Sequence, residues 1–384
     1  MTTTDRSAVV GAPHSTWAQV MAERLARVAA EGRWRSPRPF DALGVKGRLD
    51  TEGTIVSFAS NDYLGLSAHP KVVAGAAAAL ERWGAGAGAS RLVTGSRPVH
   101  QELETALADW KGSEAAVTFP TGFAANLGAL SVLGGLSGRI LSDELNHASI
   151  IDGCRLARAE LAVYHHADPD HVDHLLARPG PPAVVVTDTV FSMDGDVAPL
   201  EELAAVCRRH GALLLLDEAH AVLGPHPGPE VTDGLCVVRV GTLSKTLGSL
   251  GGFVAGPRQV VDLLVNLARS YIFTTAQSPA DAAAALAALG VLRSGEGTAL
   301  CARLAGYVER VAPGHPSPII PVILGTEERA LACSERLLAE GLWVPAIRPP
   351  TVAEGTSRLR VTLSAAHTDE QVDHLVRTLA AITS

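Results

Sequence analysis

From Ile55 onward, short runs of β-branched and apolar residues alternate with longer stretches rich in Ala and Leu, the pattern of an α/β fold. Seven short runs read as strands: Ala115 to Phe119, Arg139 to Ser142, Leu161 to Tyr164, Ala183 to Thr187, Leu213 to Asp217, Val237 to Gly241 and Gly252 to Ala255. Several, such as Leu213-Leu214-Leu215-Leu216, are continuously apolar rather than alternating. A strand of that kind is covered by helices on both faces, which predicts a mostly parallel sheet in a large domain over residues 51–278. Ahead of it, residues 15 to 31 carry helical periodicity, with Ser15 as N-cap and Gly32 as the stop. They predict a helical arm within residues 1–50, packed outside the main domain. After Pro279 the pattern changes to a long Ala-rich helix, then Ile319 to Leu324, a helix near Glu327 to Glu340, Trp343 to Ile347, Leu359 to Leu363 and a last helix from Asp369. This predicts a smaller α+β domain over residues 279–384.

Ligands of parallel sheets collect at the carboxyl ends of the strands, where Thr187, Asp217 and Gly241 fall. Lys245 follows closely, in Gly241-Thr242-Leu243-Ser244-Lys245-Thr246-Leu247-Gly248. A lysine to hold an aldehyde as a Schiff base and a buried carboxylate to keep a pyridine nitrogen protonated are what pyridoxal phosphate (PLP) chemistry needs. Taken singly, each residue is equally well read as half of a structural ion pair. Thr121-Gly122-Phe123 opens a helix after a strand, so its backbone N–H groups suit a phosphate or form an ordinary cap. His147, in Asn146-His147-Ala148-Ser149, is placed either to stack on a flat cofactor or to cap a helix. Val190 to Asp196 reads as a shaped turn presenting Ser192.

Two other clusters carry less. Gly84 to Ser90 fails as a dinucleotide fingerprint, since position 89 is alanine and the run follows a helix; a loop reaching a ligand or a neighbouring subunit fits it better. His165, His166, His171 and His174, interleaved with Asp168, Asp170 and Asp173, are read as solvated surface rather than a zinc site.

Composition narrows the classes. The 384 residues are 47% hydrophobic and 19% charged with a net charge of −8 and no basic block, which disfavours nucleic-acid binding. Cys154, Cys207, Cys236, Cys301 and Cys333 are odd in number and form no C-x-x-C pair, so buried thiols in a reducing cytoplasm are expected. No apolar run reaches the ~18 residues of a membrane span, and no metal site is expected.

These segments, in this order, resemble the α-oxoamine synthase family of fold-type I PLP enzymes. The resemblance runs from Asn61-Asp62-Tyr63-Leu64-Gly65-Leu66 through His69-Pro70, Gly86 to Gly95, His100 to Glu104, His147, Phe191 to Asp196, Asp217 to His220 and Thr242 to Gly248 into the C-terminal domain. Gly88 to Gly95 and Ala346 to Val352 are most similar to the branch that joins L-alanine to a pimeloyl thioester, carried on coenzyme A or acyl carrier protein, in biotin biosynthesis. Glycine-using relatives and a non-catalytic scaffold subunit are the alternatives. The resemblance implies a homodimer with an intersubunit site and a role for each matched residue. Lys245 would form the Schiff base and later act on the amino-acid Cα. Asp217 would pair with the pyridinium nitrogen, His147 would stack on the ring, and Ser192 and His220 would contact the phenolic oxygen. Gly122, Phe123 and Thr242 would hold the phosphate, Thr274 and Thr275 would reach the phosphate of the other subunit's cofactor, and Arg360, assisted by Asn61, would bind the amino-acid carboxylate. Glu218 stands where the family often has aspartate, Thr121 where serine is frequent and Ala353 where proline is usual.

Overall fold

The computed structural model describes residues 16–49 and 53–383. Its centre is a seven-stranded sheet in the spatial order Ala115–Phe119, Gly252–Gly256, Val237–Thr242, Leu213–Asp217, Val184–Asp188, Arg139–Asp143, Glu160–Tyr164. Gly252–Gly256 runs antiparallel to both neighbours, and the remaining pairs are parallel. Successive residues of the central strands enter different cores. Val184, Val186 and Leu215 pack with Val117, Leu130 and Val240 on one side of the sheet, while Val185, Leu214 and Leu216 pack with Leu203 and Cys207 on the other. Both parities are buried, which is why these strands are unbroken apolar runs.

Every expected strand of this sheet is present, with ends displaced by no more than one residue. The arm helix is Trp17–Ala30, capped by the Thr16 side chain, and none of its residues is buried; Ser15, expected as the cap, lies outside the described residues. The arm region is not helical alone. Phe40–Leu43 and Lys46–Leu49 form an antiparallel pair that continues into Thr54–Ser57, and Leu342–Trp343 adds to that sheet in parallel. The expected strand Trp343 to Ile347 is therefore split: its first part joins this N-terminal sheet, while Ala346–Ile347 pairs with Ser357–Thr362. Ser357–Thr362 also pairs with Ile319–Gly325, and the three-stranded antiparallel sheet is covered by Glu327–Ala339. The Ala-rich helix Pro279–Leu292 packs along Pro70–Trp83 and Pro98–Lys111. Its alanines allow that close approach: a Cβ on Gly75 of the facing helix would lie 3.2 Å from the Ala283 carbonyl oxygen.

Two expectations about thiols and surface hold only in part: Cys154, Cys207 and Cys333 are buried as expected. Cys236 is exposed and Cys301 only half-buried, because both lie on peripheral segments rather than under the sheet. His166 is not solvated surface, since its ring bridges Asp143 and Asp196 (3.1 and 2.7 Å), residues that the chain reaches only after folding. Among the described residues no helix is long and apolar enough to cross a membrane.

Candidate active site

Three strands of the sheet, Val184–Asp188, Leu213–Asp217 and Val237–Thr242, end at one cavity of about 220 Å³, which also receives the first turn of the helix Gly122–Ser137. Lys245, His220, Asp217, His147, Gly122, Phe123 and Thr242 all line it. Four separate segments thus bring together most of the residues singled out in the sequence.

Asp217 ends its strand with both oxygens engaged. Asn126 Nδ2 donates to Oδ2 at 2.6 Å and the Ala219 N–H to Oδ1 at 2.9 Å. The same Asn126 amide reaches Ser149 Oγ at 2.9 Å, and Ser149 Oγ lies 2.7 Å from His147 Nδ1. His147 is the N-cap of the helix Ala148–Leu156, and its own N–H donates to Asp188 Oδ2 at 2.8 Å. One wall of the cavity is therefore a connected polar network. Asn126 Oδ1 is buried there without a hydrogen-bond partner.

At the other wall, the Lys245 amine lies 2.8 Å from His220 Nε2, and His220 Nδ1 lies 2.5 Å from the Tyr63 hydroxyl. Burial, with the charges of Lys245 and Arg360 nearby, holds the His220 pKa well below its ordinary 6.5, so the ring is neutral. A neutral imidazole has one donor and one acceptor. The tautomer that satisfies its neighbours accepts from Lys245 at Nε2 and donates from Nδ1 to Tyr63, whose hydroxyl in turn donates to Asn61 Oδ1 at 3.3 Å. Asn61 Oδ1 also accepts from Arg360 Nη2 at 3.2 Å. A continuous chain of hydrogen bonds runs from the lysine to the arginine.

Arg360 donates Nε to the Ser192 carbonyl at 2.6 Å and Nη1 to Thr362 Oγ1 at 2.9 Å. With the Asn61 bond, three of the five guanidinium N–H groups are occupied, and the fork also hydrogen-bonds the Tyr63 hydroxyl. Ser192, Asn61 and Arg360 thus form a group beside the cavity rather than on its wall. Thr274 and Thr275 do not line the cavity of this chain; they follow the short helix Arg269–Ile272, next to an exposed Phe273, and the adjacent Ala276 N–H donates to the Ala89 carbonyl at 3.0 Å.

The helix Gly122–Ser137 presents its N-terminus to the cavity. Thr121 Oγ1 caps Ala124 N at 3.0 Å and the Thr121 carbonyl accepts from Ala125, so the helix's own ladder leaves the Gly122 and Phe123 N–H groups over. Strand Gly252–Gly256 presses against this turn: a Cβ on Gly252 would lie 2.5 Å from Gly122 N, which only glycine avoids. Thr242 Oγ1 sits between Ser244 Oγ (2.7 Å) and the Gly251 carbonyl (3.1 Å).

Burial pushes the Lys245 amine below its usual pKa, against the opposing pull of Asp217 and Asp188, and burial likewise lowers His147. Asp188 is raised well above the ordinary carboxylate range by burial and by the neighbouring Asp217. A desolvated amine, a carboxylate held by two donors, an imidazole and an uncommitted helix N-terminus are the donor set that PLP requires, and they fit it without rearrangement of the fold.

Glu218 turns away from this cavity. Its carboxylate is buried between Lys111 Nζ, at 2.6 Å, and the Arg239 guanidinium, and its N–H donates to the Val240 carbonyl at 2.8 Å. Sequence reasoning gave no role to Asn126, Asp188 or Tyr63. Asn126 had a signal: with Ser131 and Ser137 it is one of three polar side chains on a helix otherwise built of Gly, Ala, Leu, Val and Phe, and a buried polar residue of that kind needs a partner.

The fold and this donor set define a fold-type I PLP-dependent transferase. The chain belongs to the aminotransferase class I and II family, whose model matches residues 53–379. An 8-amino-7-oxononanoate synthase of Anaeromyxobacter dehalogenans is 52% identical, over 93% of this chain and 97% of that protein. Among solved structures, a Sphingomonas wittichii serine palmitoyltransferase superposes with a TM-score of 0.86 at 32% identity, covering 94% of this chain and 96% of that one. A serine palmitoyltransferase solved with PLP as the internal aldimine gives 0.84 at 30% identity over the same shares.

Proposed function

We propose that this chain joins L-alanine to a pimeloyl thioester, with loss of the thiol and of carbon dioxide, giving 8-amino-7-oxononanoate for biotin biosynthesis. The observation that carries the reading is the Lys245 amine facing the doubly held Asp217 carboxylate across one cavity, linked through His220 and Tyr63 to Arg360. The choice of substrates is supported by the 52% identity to an 8-amino-7-oxononanoate synthase, against 30–32% for the serine palmitoyltransferases.

PLP, when bound, supplies an aldehyde for an amine and a ring that accepts the electron pair left on the amino-acid Cα. Asp217 keeps the ring nitrogen protonated, and Asn126 and the Ala219 N–H keep Asp217 oriented. His147 would cover one face of the ring and His220 would hold the phenolic oxygen, with Ser192 reaching it from beside the cavity. The Gly122 and Phe123 N–H groups hold the phosphate with the Thr242 hydroxyl. Arg360 would bind the amino-acid carboxylate through its guanidinium fork, which Asn61 and Tyr63 help to fix. Lys245, pushed toward the neutral amine by burial, would take the Cα proton.

In this reading residues 51–278 hold the cofactor, residues 279–384 contribute Arg360, and residues 1–50 form an arm. Two copies associate in the cytoplasm so that Thr274 and Thr275 of one reach the phosphate of the other. Purified protein is expected to carry a Schiff-base absorbance that Lys245→Ala abolishes, and to release the thiol with L-alanine and a pimeloyl thioester. Wild type without the absorbance, or a preference for glycine or serine over alanine, refutes the reading.

A further inference from the structure

The turn 190–196 lies on the seam between the large sheet and the C-terminal sheet. On the C-terminal side, Ser192 O accepts from Arg360 Nε at 2.6 Å, Asp194 pairs with Arg358, and a Cβ on Gly195 would lie 1.9 Å from the Ile319 carbonyl oxygen. On the other side stands His166, from the loop after Glu160–Tyr164. Its Nε2 meets Asp196 Oδ2 at 2.7 Å, its Nδ1 meets Asp143 Oδ1 at 3.1 Å, and its ring packs edge-on against Phe191 with centroids 4.4 Å apart.

We propose that His166 is a positioning residue: by bridging Asp143 to Asp196 it fixes the turn from which Ser192 and the Arg360 contact are both presented. Only a ring carrying two N–H groups donates to two carboxylates at once. Those two carboxylates raise the His166 pKa to about 10, so the bridge stands throughout the neutral range. The loop is built to hold the ring there. Ala167, the next residue, has φ +53°, a left-handed conformation unfavourable for a residue with a Cβ, and its N–H is anchored to Asp143 Oδ2 at 2.9 Å. Asp143 Oδ1 also takes the Leu145 N–H at 2.9 Å, and Glu144 Oε1 takes the His166 N–H at 2.9 Å. The far end of the clamp is thus immobilised on a strand of the main sheet. Its near end sets where the turn can sit, and with it both the Ser192 hydroxyl and the carbonyl against which Arg360 is aimed.

The inference rests on the cofactor and amino-acid roles given to Ser192 and Arg360 above. Its test compares His166→Gln, Asp196→Asn and the double variant with wild type. His171→Gln serves as a control on the helix that follows, Pro169–Leu176, where the ring accepts the His165 N–H at 3.1 Å and lies 4.4 Å from the His165 ring. Glutamine reaches one carboxylate but not both. Loss of the bridge is expected to raise the PLP dissociation constant, titrated into apoprotein by absorbance, and the KM for the amino acid by about tenfold each, with kcat changed by less than about threefold. His166→Gln and Asp196→Asn remove one interaction, so the double variant is expected to show no more than the larger single effect. Dissociation constant and KM within about twofold of wild type, equal shifts in His171→Gln, or effects that multiply in the double variant overturn the inference. If His166→Gln does not fold, Asp196→Asn decides by the same criteria. Wild type that takes up no PLP sinks the functional reading itself; normal wild-type uptake with unmoved variants sinks only the clamp.

Discussion

Replacing Glu218 by glutamine isolates a buried triad of charges next to the site. The carboxylate is 1% exposed and stands between Lys111 and Arg239, themselves only 7% and 11% exposed. Glu218→Gln keeps the volume and leaves two buried cations facing each other across a neutral amide. Breaking a buried pair by removing one partner costs about 3–5 kcal/mol, most of it the desolvation of the charge left behind. With ~2.1 cal/mol/K of unfolding entropy per residue over the 384-residue chain, this lowers Tm by about 4–6 °C. The measurement belongs on apoprotein, so that cofactor binding does not mask the loss. pH gives a second reading. Although burial opposes it, the Lys111 and Arg239 charges hold the Glu218 carboxyl below its ordinary value of 4.5. A depressed carboxyl pKa stabilises the fold above the unfolded-state value, and that contribution disappears as the pH falls through the folded value. The Tm gap between wild type and variant is therefore widest near neutrality and closes below about pH 4.5. A gap under about 1 °C at pH 7, or one that widens in acid, refutes the account of the triad.

Tyr63→Phe removes the hydroxyl between His220 and Asn61, and kcat/KM is expected to fall about tenfold in steady-state assays while PLP affinity holds; unchanged kcat/KM would mean the relay carries nothing. Arg360→Lys keeps the charge but not the fork, so the KM for the amino acid should rise at least about tenfold, with a smaller change in the KM for the thioester. Gly252→Ala places a methyl against the Gly122 backbone, and equilibrium titration should show PLP affinity reduced about tenfold or more; wild-type affinity would show that the helix N-terminus does not hold the phosphate.

The parts of this architecture legible in the sequence are those fixed by local rules. Leu213 to Asp217 and Val237 to Gly241 announce themselves because a strand buried on both faces must be apolar at every position, and the catalytic candidates Asp217 and Lys245 follow because strand ends locate ligands. The strands Phe40–Leu43 and Lys46–Leu49 carry no such signal: they are only four residues long and mostly exposed, and among the described residues they pair only with each other and with Thr54–Ser57. The site divides in the same way. Asn126 serves Asp217 from 91 residues away and Tyr63 serves His220 from 157, so neither spacing has a local meaning.

His166 marks where composition misleads. A run of histidines and aspartates looks solvated because charged groups are costly to bury alone, yet that cost is offset for a partly buried ring whose two N–H groups both end on carboxylates. Those partners, Asp143 and Asp196, lie 23 and 30 residues away on opposite sides of it in sequence, and one of them ends a strand of the main sheet. The same topology that gathers Lys245 and Asp217 at the strand ends therefore also brings the clamp together, and a turn wedged between two sheets can hold Arg360 in register only if both of its sides are fixed.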